Sequence, residues 1–265
     1  MLPDMPRTGR TSRERPDDDR EYMAGLAKGL AILEAFGSRK SRLSLSEACE
    51  IAGLSRAAGR RCLRTLQQLG YAVYDGKYFL PAPRVLRLGH AYLIANPLTR
   101  VVQPTIEAVS ERTKHSVAAS VLDGVHVVVV ARALVQRSLS AGLAVGGWLP
   151  AYCSANGRIL LSGFPDPEVE AMLNRMERTK LTPHTRTEVR EVMQEIKAIR
   201  SRGYAINEQE VELGLTTIAV PIRTRNGDIV ASLSMSSIDN ARERRNLVRL
   251  VPELQATSMR LAALL

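Results

Sequence analysis

The chain has 265 residues, 45% hydrophobic and 24% charged, with a formal net charge of +10. This is long enough for two domains with real cores, while its apolar runs are far too short for a bilayer span. Three cysteines at unrelated spacings argue against a disulfide framework, and a charged start without a signal-like apolar run predicts a soluble, cytoplasmic protein.

The excess positive charge lies early: residues 1–100 carry 17 Lys and Arg against 10 Asp and Glu, the remainder 20 against 17. Residues 1–21, rich in Arg, Asp and Pro, are expected to form a disordered tail. Met23 to Phe36 follows as an amphipathic helix, with Leu26, Leu30 and Leu33 on a stripe widened by Ile32 and Phe36. After a polar loop, Gly37 to Arg42, Ser44 and Glu47 make a capping box ahead of a short apolar helix. Gly53 supplies a tight turn, and Ser55 caps a helix that runs to about Leu69 and ends at Gly70.

In that helix Ala58, Cys62, Leu66 and Leu69 share an apolar face. Arg56, Arg60, Arg64 and Gln67 share another, with Arg61 and Gln68 beside them. No acid lies between Glu50 and Asp75. Tyr71 to Leu80 alternates around Asp75-Gly76, a hairpin signal, with Lys77 placed to touch a phosphate. The combination predicts a winged helix-turn-helix over residues 22–82 that places its arginines in the major groove of double-stranded operator DNA. The plainer reading is a helical hairpin with a solvated basic face. Gly59 inside the second helix costs about 1 kcal/mol relative to Ala. It either permits close approach to a duplex or is simply tolerated.

Residues 83–100 read as a linker and dimerisation segment. Val85, Leu86, Leu88, Tyr92 and Leu93 leave too much apolar surface for a lone chain, which predicts a homodimer or a dimer of dimers. Asn96-Pro97 starts the next helix, to about Lys114, with Pro104 expected to kink it or shorten its first segment.

From Ser116 strands dominate. Val117–Leu122 and Val125–Arg132 flank Asp123-Gly124, and Ser138–Leu143 is a further strand. Residues 146–150 read as a loop holding the single tryptophan. Cys153 to Leu161 reads as helical, Asp166-Pro167-Glu168 opens another helix, and Thr187 to Arg202 is a long helix closed by Gly203. Tyr204–Asn207, Leu215–Arg223 and Ile229–Ser236 are strands, the last two joined by Asn226-Gly227. Asn246 to Leu265 is a terminal helix with Pro252 near its start or at a kink. Residues 101–265 thus predict an α+β domain on an antiparallel sheet.

Catalytic, metal and cofactor motifs are missing. The four histidines are scattered, and no phosphate loop, dinucleotide fingerprint or nucleophile elbow is present. Glu208, Glu210 and Glu212 are read as solvated or paired rather than as acid–base groups, and Cys153 as structural rather than nucleophilic.

One pattern stands apart. Ile218, Val220 and Ile222 oppose Thr217, Ala219 and Pro221, and Ala231, Leu233 and Met235 oppose Ser232, Ser234 and Ser236. The face of small residues is either a solvent face, the seat of a covering helix, or the wall of a ligand pocket.

At this point the chain resembles the IclR family of bacterial transcriptional regulators, from about Met23 to its end. The resemblance is carried by residues 203–215, GYAINEQEVELGL, by Ile218-Ala219-Val220-Pro221-Ile222, and by Gly227 to Ser236. Four segments are similar to the subgroup that controls protocatechuate and 4-hydroxybenzoate catabolism in the β-ketoadipate pathway. They are Leu54-Ser55-Arg56-Ala57-Ala58, residues 61–66 (RCLRTL), residues 88–93 (LGHAYL) and residues 149–154 (LPAYCS). The resemblance implies a winged helix-turn-helix, a dimerising linker helix, and a GAF-like α+β effector-binding domain in a dimer or tetramer.

It also implies an effector pocket at Ala155, Asn156, Asn207, Thr217, Ser234 and Ser236, while the basic helix and the wing themselves give the expected DNA-contacting set of Ser55, Arg56, Ala57, Arg60, Arg61, Arg64 and Lys77. Three positions depart from the family pattern. Residue 207 is often acidic in relatives, residue 217 is sometimes Cys, and Gly157-Arg158 replaces the usual Gly-Lys. The expected ligand is a small aromatic carboxylate. Its carboxylate would lie on helix N–H groups near Ala155 and on the serine hydroxyls, and a ring substituent on Asn207. Trp148 or Leu149 would cover the ring. None of the six pocket residues is a cation, which predicts moderate affinity, and Asn in place of an acid at 207 removes repulsion against a second negative charge, which leaves dicarboxylates open. The function expected is therefore an effector-responsive transcriptional regulator. The alternatives are a regulator of another organic-acid pathway or an enzyme with a DNA-binding appendage.

Overall fold

The computed structural model describes residues 22–36, 42–134, 144–238 and 241–265. The predicted tail and the strand Ser138–Leu143 lie outside these residues. Two compact units form, meeting in sequence between Tyr92 and Leu93.

The first unit holds α1 (Ala24–Ala35), α2 (Leu45–Ile51), α3 (Arg56–Gln68) and the hairpin β1 (Ala72–Tyr74) and β2 (Phe79–Pro81). Both halves of the capping box form at α2. The Ser44 N–H donates to Glu47 at 2.8 Å, and the Glu47 N–H donates to the Ser44 hydroxyl at 3.3 Å. Gly53, at φ +63°, makes the turn that a side chain would strain. Ile32, Ala35, Phe36, Leu43, Ala48, Leu63, Leu66, Ala72 and Phe79 close one core.

Two helix faces differ from expectation. On α1 the buried face is Ile32, Ala35 and Phe36, while Leu26 and Leu30 are exposed. One helical repeat before Ile32 the sequence offers only Lys28 and Gly29, so the first half of the helix has no large apolar residue on the buried side. On α3 the stripe is Ala58, Gly59, Leu63 and Leu66. Cys62 is half-buried, and Leu69, the C-cap, is 52% exposed.

A turn of 3-10 helix at Pro83–Val85 leads into α4 (Leu86–Ala95), no residue of which is buried.

The second unit begins with α5 (Pro97–Thr113), capped by the Asn96 side chain, which accepts from the Leu98 N–H at 3.0 Å. Pro104 lies inside this helix without shortening it. Pro104 and Arg100, whose carbonyl loses its usual donor, are both exposed.

The strands β3 (Ser116–Asp123), β4 (His126–Ala133), β5 (Trp148–Pro150), β6 (Ala205–Glu208), β7 (Leu215–Arg223) and β8 (Ile229–Ile238) form one antiparallel sheet in the order β5-β4-β3-β8-β7-β6. Residues 148–150, expected in a loop, pair with β4, with Val127 opposite Leu149. Between β5 and β6 run α6 (Ala155–Leu161), α7 (Asp166–Arg175) and α8 (Val189–Arg202). The chain ends in two helices rather than one, α9 (Ala241–Arg249) and α10 (Val251–Ala263). Pro252 causes the division: it has no N–H to continue α9, yet it suits the first turn of α10.

The sheet has two different faces. Val117, Ala119, Ile218, Val220, Ile222, Ala231, Leu233 and Met235 pack with α5 and α10 in a continuous apolar core. The opposite face carries α6.

Candidate functional site

On that opposite face the register aligns small residues in three rungs. Asn207, Thr217, Ser236 and Ser116 stand opposite one another in the first. Ala219, Ser234, Ala118 and Arg132 form the second, and Pro221, Ser232 and Ser120 the third. At the third rung α6 closes on the sheet: the Ser232 hydroxyl lies 3.1 Å from Asn156 Oδ1 and donates to the Ser120 carbonyl at 3.3 Å. At the first two rungs a cavity of about 270 Å³ opens, lined by Ala155, Asn156, Asn207, Thr217, Ser234 and Ser236. The small face thus serves twice, as the seat of a helix at one end and as a cavity wall at the other.

Several of these groups have partners already. Asn207 Nδ2 donates to the Cys153 carbonyl at 2.7 Å, which leaves its oxygen for a ligand hydroxyl. The Thr217 and Ser236 hydroxyls are 3.0 Å apart, and Ser234 donates to the Ala118 carbonyl at 3.3 Å. The Ser154 side chain accepts from the Gly157 N–H at 3.0 Å, so that donor of the α6 terminus is committed.

Sequence reasoning missed three lining residues that matter: Arg132, Glu212 and Val129. None of the six expected residues is a cation, but Arg132 adds one to the lining. In the sequence Arg132 is no more than the last residue of the expected strand Val125–Arg132. The signal that finds it is register, since Ala118 opposite it faces the cavity. Burial lowers the Arg132 pKa, but a guanidinium stays charged. Leu149 lines the cavity, whereas Trp148 is 49% exposed and stacks edge-on against His126, with ring centroids 4.5 Å apart.

Beneath the cavity Arg158 is fully buried. Its two terminal nitrogens each donate to one oxygen of Glu210 at 2.6 Å, and Nε donates to the Tyr152 carbonyl at 2.9 Å. Glu210 also accepts from the Arg186 N–H at 3.0 Å. Such a fork is satisfied on both sides, which buried charges require. It ties α6 to the segment 209–214, which contributes Val211 and Glu212 to the lining. Glu208 is half-buried and Glu212 exposed, so the three acids face different surroundings. Burial pushes the Cys153 thiol up to about 11, which makes it a poor nucleophile at neutral pH.

In the first unit Arg56, Ala57, Arg60, Arg61 and Arg64 are exposed along α3, and Ser55 caps the helix by accepting from the Ala58 N–H at 3.3 Å. Among the described residues no ion pair engages these four arginines. At the wing tip the Asp75 carboxylate accepts from the Lys77 and Tyr78 N–H groups at 2.9 and 2.7 Å, bonds that hold its pKa below the usual range. Lys77 is exposed there. Arg42, read only as part of a loop, lies with its guanidinium 4.6 Å from the Tyr78 ring centre and adds a further cation to the wing. Gly59 does not face outward. A Cβ there would lie 2.2 Å from Cys49 Sγ, so the glycine lets α3 close on α2.

A winged helix-turn-helix with an unpaired basic face, and an α+β unit with a small polar cavity, define a transcriptional regulator with a ligand-binding fold. Residues 25–76 match the IclR helix-turn-helix domain and residues 90–263 the bacterial transcriptional regulator IclR C-terminal domain. The chain belongs to the IclR family of bacterial transcriptional regulators, whose members act on DNA rather than as enzymes. It is 38% identical over 242 residues to the Pca regulon regulatory protein of Pseudomonas putida, covering 91% of this chain and 83% of that one. It is 36% identical over 245 residues to the p-hydroxybenzoate hydroxylase transcriptional activator of Acinetobacter baylyi, covering 90% of each. The structure also resembles the inducer-binding domain of a PobR transcription factor double mutant from Acinetobacter, solved with 3-hydroxybenzoic acid. That likeness has a TM-score of 0.59 at 28% identity and covers 63% of this chain and 98% of the other.

Proposed function

We propose that this chain senses a small aromatic carboxylate of the protocatechuate or 4-hydroxybenzoate type and controls genes of aromatic-acid catabolism. The observation that carries this reading is the convergence of Ala155, Asn156, Asn207, Thr217, Ser234 and Ser236 on one cavity with hydroxyl, amide and guanidinium groups. Its volume is below the range of about 300–1,000 Å³ typical of drug-sized ligands, which suits a single ring. The relatives named above regulate pathways for such acids. Calorimetry with protocatechuate and 4-hydroxybenzoate tests it. The wild type binds one of them, and a Ser234→Ala, Ser236→Ala double variant binds it roughly 10-fold more weakly, as expected for lost hydrogen bonds. Equal binding by the variant would place the ligand elsewhere.

In this reading residues 22–82 form the DNA-binding domain and residues 101–265 the effector domain, in a cytoplasmic regulator. Ser55, Arg56, Ala57, Arg60, Arg61, Arg64 and Lys77 contact the operator. The segment 83–100 pairs two chains: Leu86 and Ile94 on α4 are 74% and 60% exposed, a large apolar surface for one chain in water. A dimer then requires a two-fold related operator. A monomer in sedimentation at micromolar concentration would contradict this pairing.

A further inference from the structure

We propose that Arg132 is the carboxylate anchor of the cavity and that the ligand lies across the strands, its carboxylate toward β4 and its ring hydroxyl toward Asn207. This deepens the aromatic-acid reading and rests on it.

The first support is charge. Of the residues lining the cavity only Arg132 and Glu212 carry full charges at neutral pH, and they lie far apart in the strand order. Arg132 is on β4. Glu212 is in the segment joining β6 to β7. An anion entering such a cavity is drawn to the first and repelled by the second.

The second support is register. Arg132 stands opposite Ala118, and Ala118 opposite Ser234. A methyl group at 118 leaves room for the guanidinium to lean over the sheet toward the Ser234 hydroxyl. The backbone beneath it is held from α5. Gln103 accepts from the Arg132 N–H at 3.3 Å and donates to the Arg132 carbonyl at 3.2 Å. The fork is thus mounted on a fixed strand, and planar bidentate recognition of a carboxylate is what arginine does best.

The third is length. Four strand steps separate β4 from β6, roughly 19 Å at about 4.8 Å per step. Subtracting the reach of Arg132 from one side and of Asn207 from the other leaves on the order of 10 Å, less where the sheet twists. A para-hydroxybenzoate with a hydrogen bond at each end fills that gap, whereas a meta-hydroxyl turns aside toward Thr217 and Ser236. The α6 N-terminus is less suited to the carboxylate. Its Gly157 N–H is already used, and it approaches the sheet from the β6 and β8 side, through Cys153 and Asn156.

The experiment is calorimetry on the full chain with 4-hydroxybenzoate, its neutral amide 4-hydroxybenzamide, and terephthalate. Wild type is compared with Arg132→Gln, Arg132→Lys and Glu212→Gln, each checked for folding by thermal unfolding. Wild type should prefer the acid to the amide by roughly 10- to 100-fold, the range for a charge-assisted hydrogen bond. Arg132→Gln should bring the two ligands to within a few-fold, and Arg132→Lys, which keeps the charge without the fork, should retain part of the preference. Terephthalate should bind wild type more weakly than 4-hydroxybenzoate, and Glu212→Gln should narrow that difference. An acid preference unchanged in Arg132→Gln overturns the anchor, as does an unchanged preference in Arg132→Lys should the first variant not fold. Glu212→Gln strengthening 4-hydroxybenzoate while leaving terephthalate unchanged overturns the orientation. If wild type binds neither acid nor amide at millimolar concentration, the aromatic-acid reading fails and this assignment with it. If wild type binds the acid and only the Arg132 result goes the other way, the reading stands and the anchor alone falls.

Discussion

α3 and α6 are built with the same local devices and put to opposite uses. Each begins at a serine whose side chain accepts from a backbone N–H three residues on, Ser55 in one and Ser154 in the other. Each contains a glycine that lets it close on a neighbour, Gly59 against Cys49 and Gly157 against Ala151. On α3 the arginines stay outside, where a polyanion can reach them. On α6 the arginine turns inward and is neutralised by Glu210. A cap and a close-packing glycine therefore say that a helix is docked. Where its charges go is decided by what lies across from it.

The comparison is broken most severely at the buried end. Removing one member of the Arg158–Glu210 fork leaves a charge without a partner in a dry interior, at a cost of about 3–5 kcal/mol. Glu210→Ala should show this loss in denaturant unfolding and should also release the segment that carries Val211 and Glu212, weakening effector binding. A Glu210→Ala protein with wild-type stability would mean that water reaches Arg158 freely. Single arginines on α3, by contrast, should be removable with no measurable effect on folding.

Gly157→Ala comes next. A Cβ at this position would lie 2.2 Å from the Ala151 carbonyl oxygen and 2.4 Å from its Cα. Backbone cannot swing aside, so α6 must retreat, and overpacking of this kind costs about 3 kcal/mol at its upper end. Thermal unfolding should fall accordingly, and the displaced Asn156 should lose its contact with Ser232.

How much of this was legible beforehand differs between the two helices for a physical reason. The capping box, the serine cap, the glycine turn and the hairpin are local, so Ser44, Ser55, Gly53 and Asp75-Gly76 announce themselves. The alternation on β7 and β8 exposed a face of small residues because strand period is strictly two. Register between strands distant in sequence is not local. Arg132 joins the cavity only because β3 lies between β4 and β8, and nothing near position 132 reports that. Gly59 was ambiguous for a similar reason: whether a helical glycine faces DNA or another helix depends on the partner's position. The α3 stripe was misplaced by one residue, from Cys62 to Leu63, because both are apolar and the helix period permits either.

On the exposed helix the expected effects are smaller and fall on binding. Arg60→Ala and Arg61→Ala should each weaken operator binding by about 1–3 kcal/mol if the side chain reads a base. A residue that touches only phosphate should instead lower the salt dependence of binding by about one counterion, with little change in sequence preference. Filter binding across a salt series separates the two roles. Unchanged affinity and slope in both variants would remove α3 from the groove.

The smallest effect should come from Gly59→Ala, and it tests the pairing of the two glycines most finely. The atom in its way is Cys49 Sγ, while Cys49 Cβ is already at an ordinary 3.6 Å. A thiol can rotate about one bond where the Ala151 backbone cannot move. Rotation gives up only a long contact, 3.8 Å, to the Ser55 carbonyl. Against that loss stands the gain of about 1 kcal/mol for replacing Gly by Ala inside a helix. The single variant should therefore unfold within about 1 kcal/mol of wild type. Cys49→Ala combined with Gly59→Ala, which removes the obstructing sulfur, should recover most of the helix gain. Operator binding decides the remaining question. If Gly59 served close approach to DNA, the double variant would fold well and bind poorly. A double variant that binds its operator normally assigns the glycine to the contact between α2 and α3.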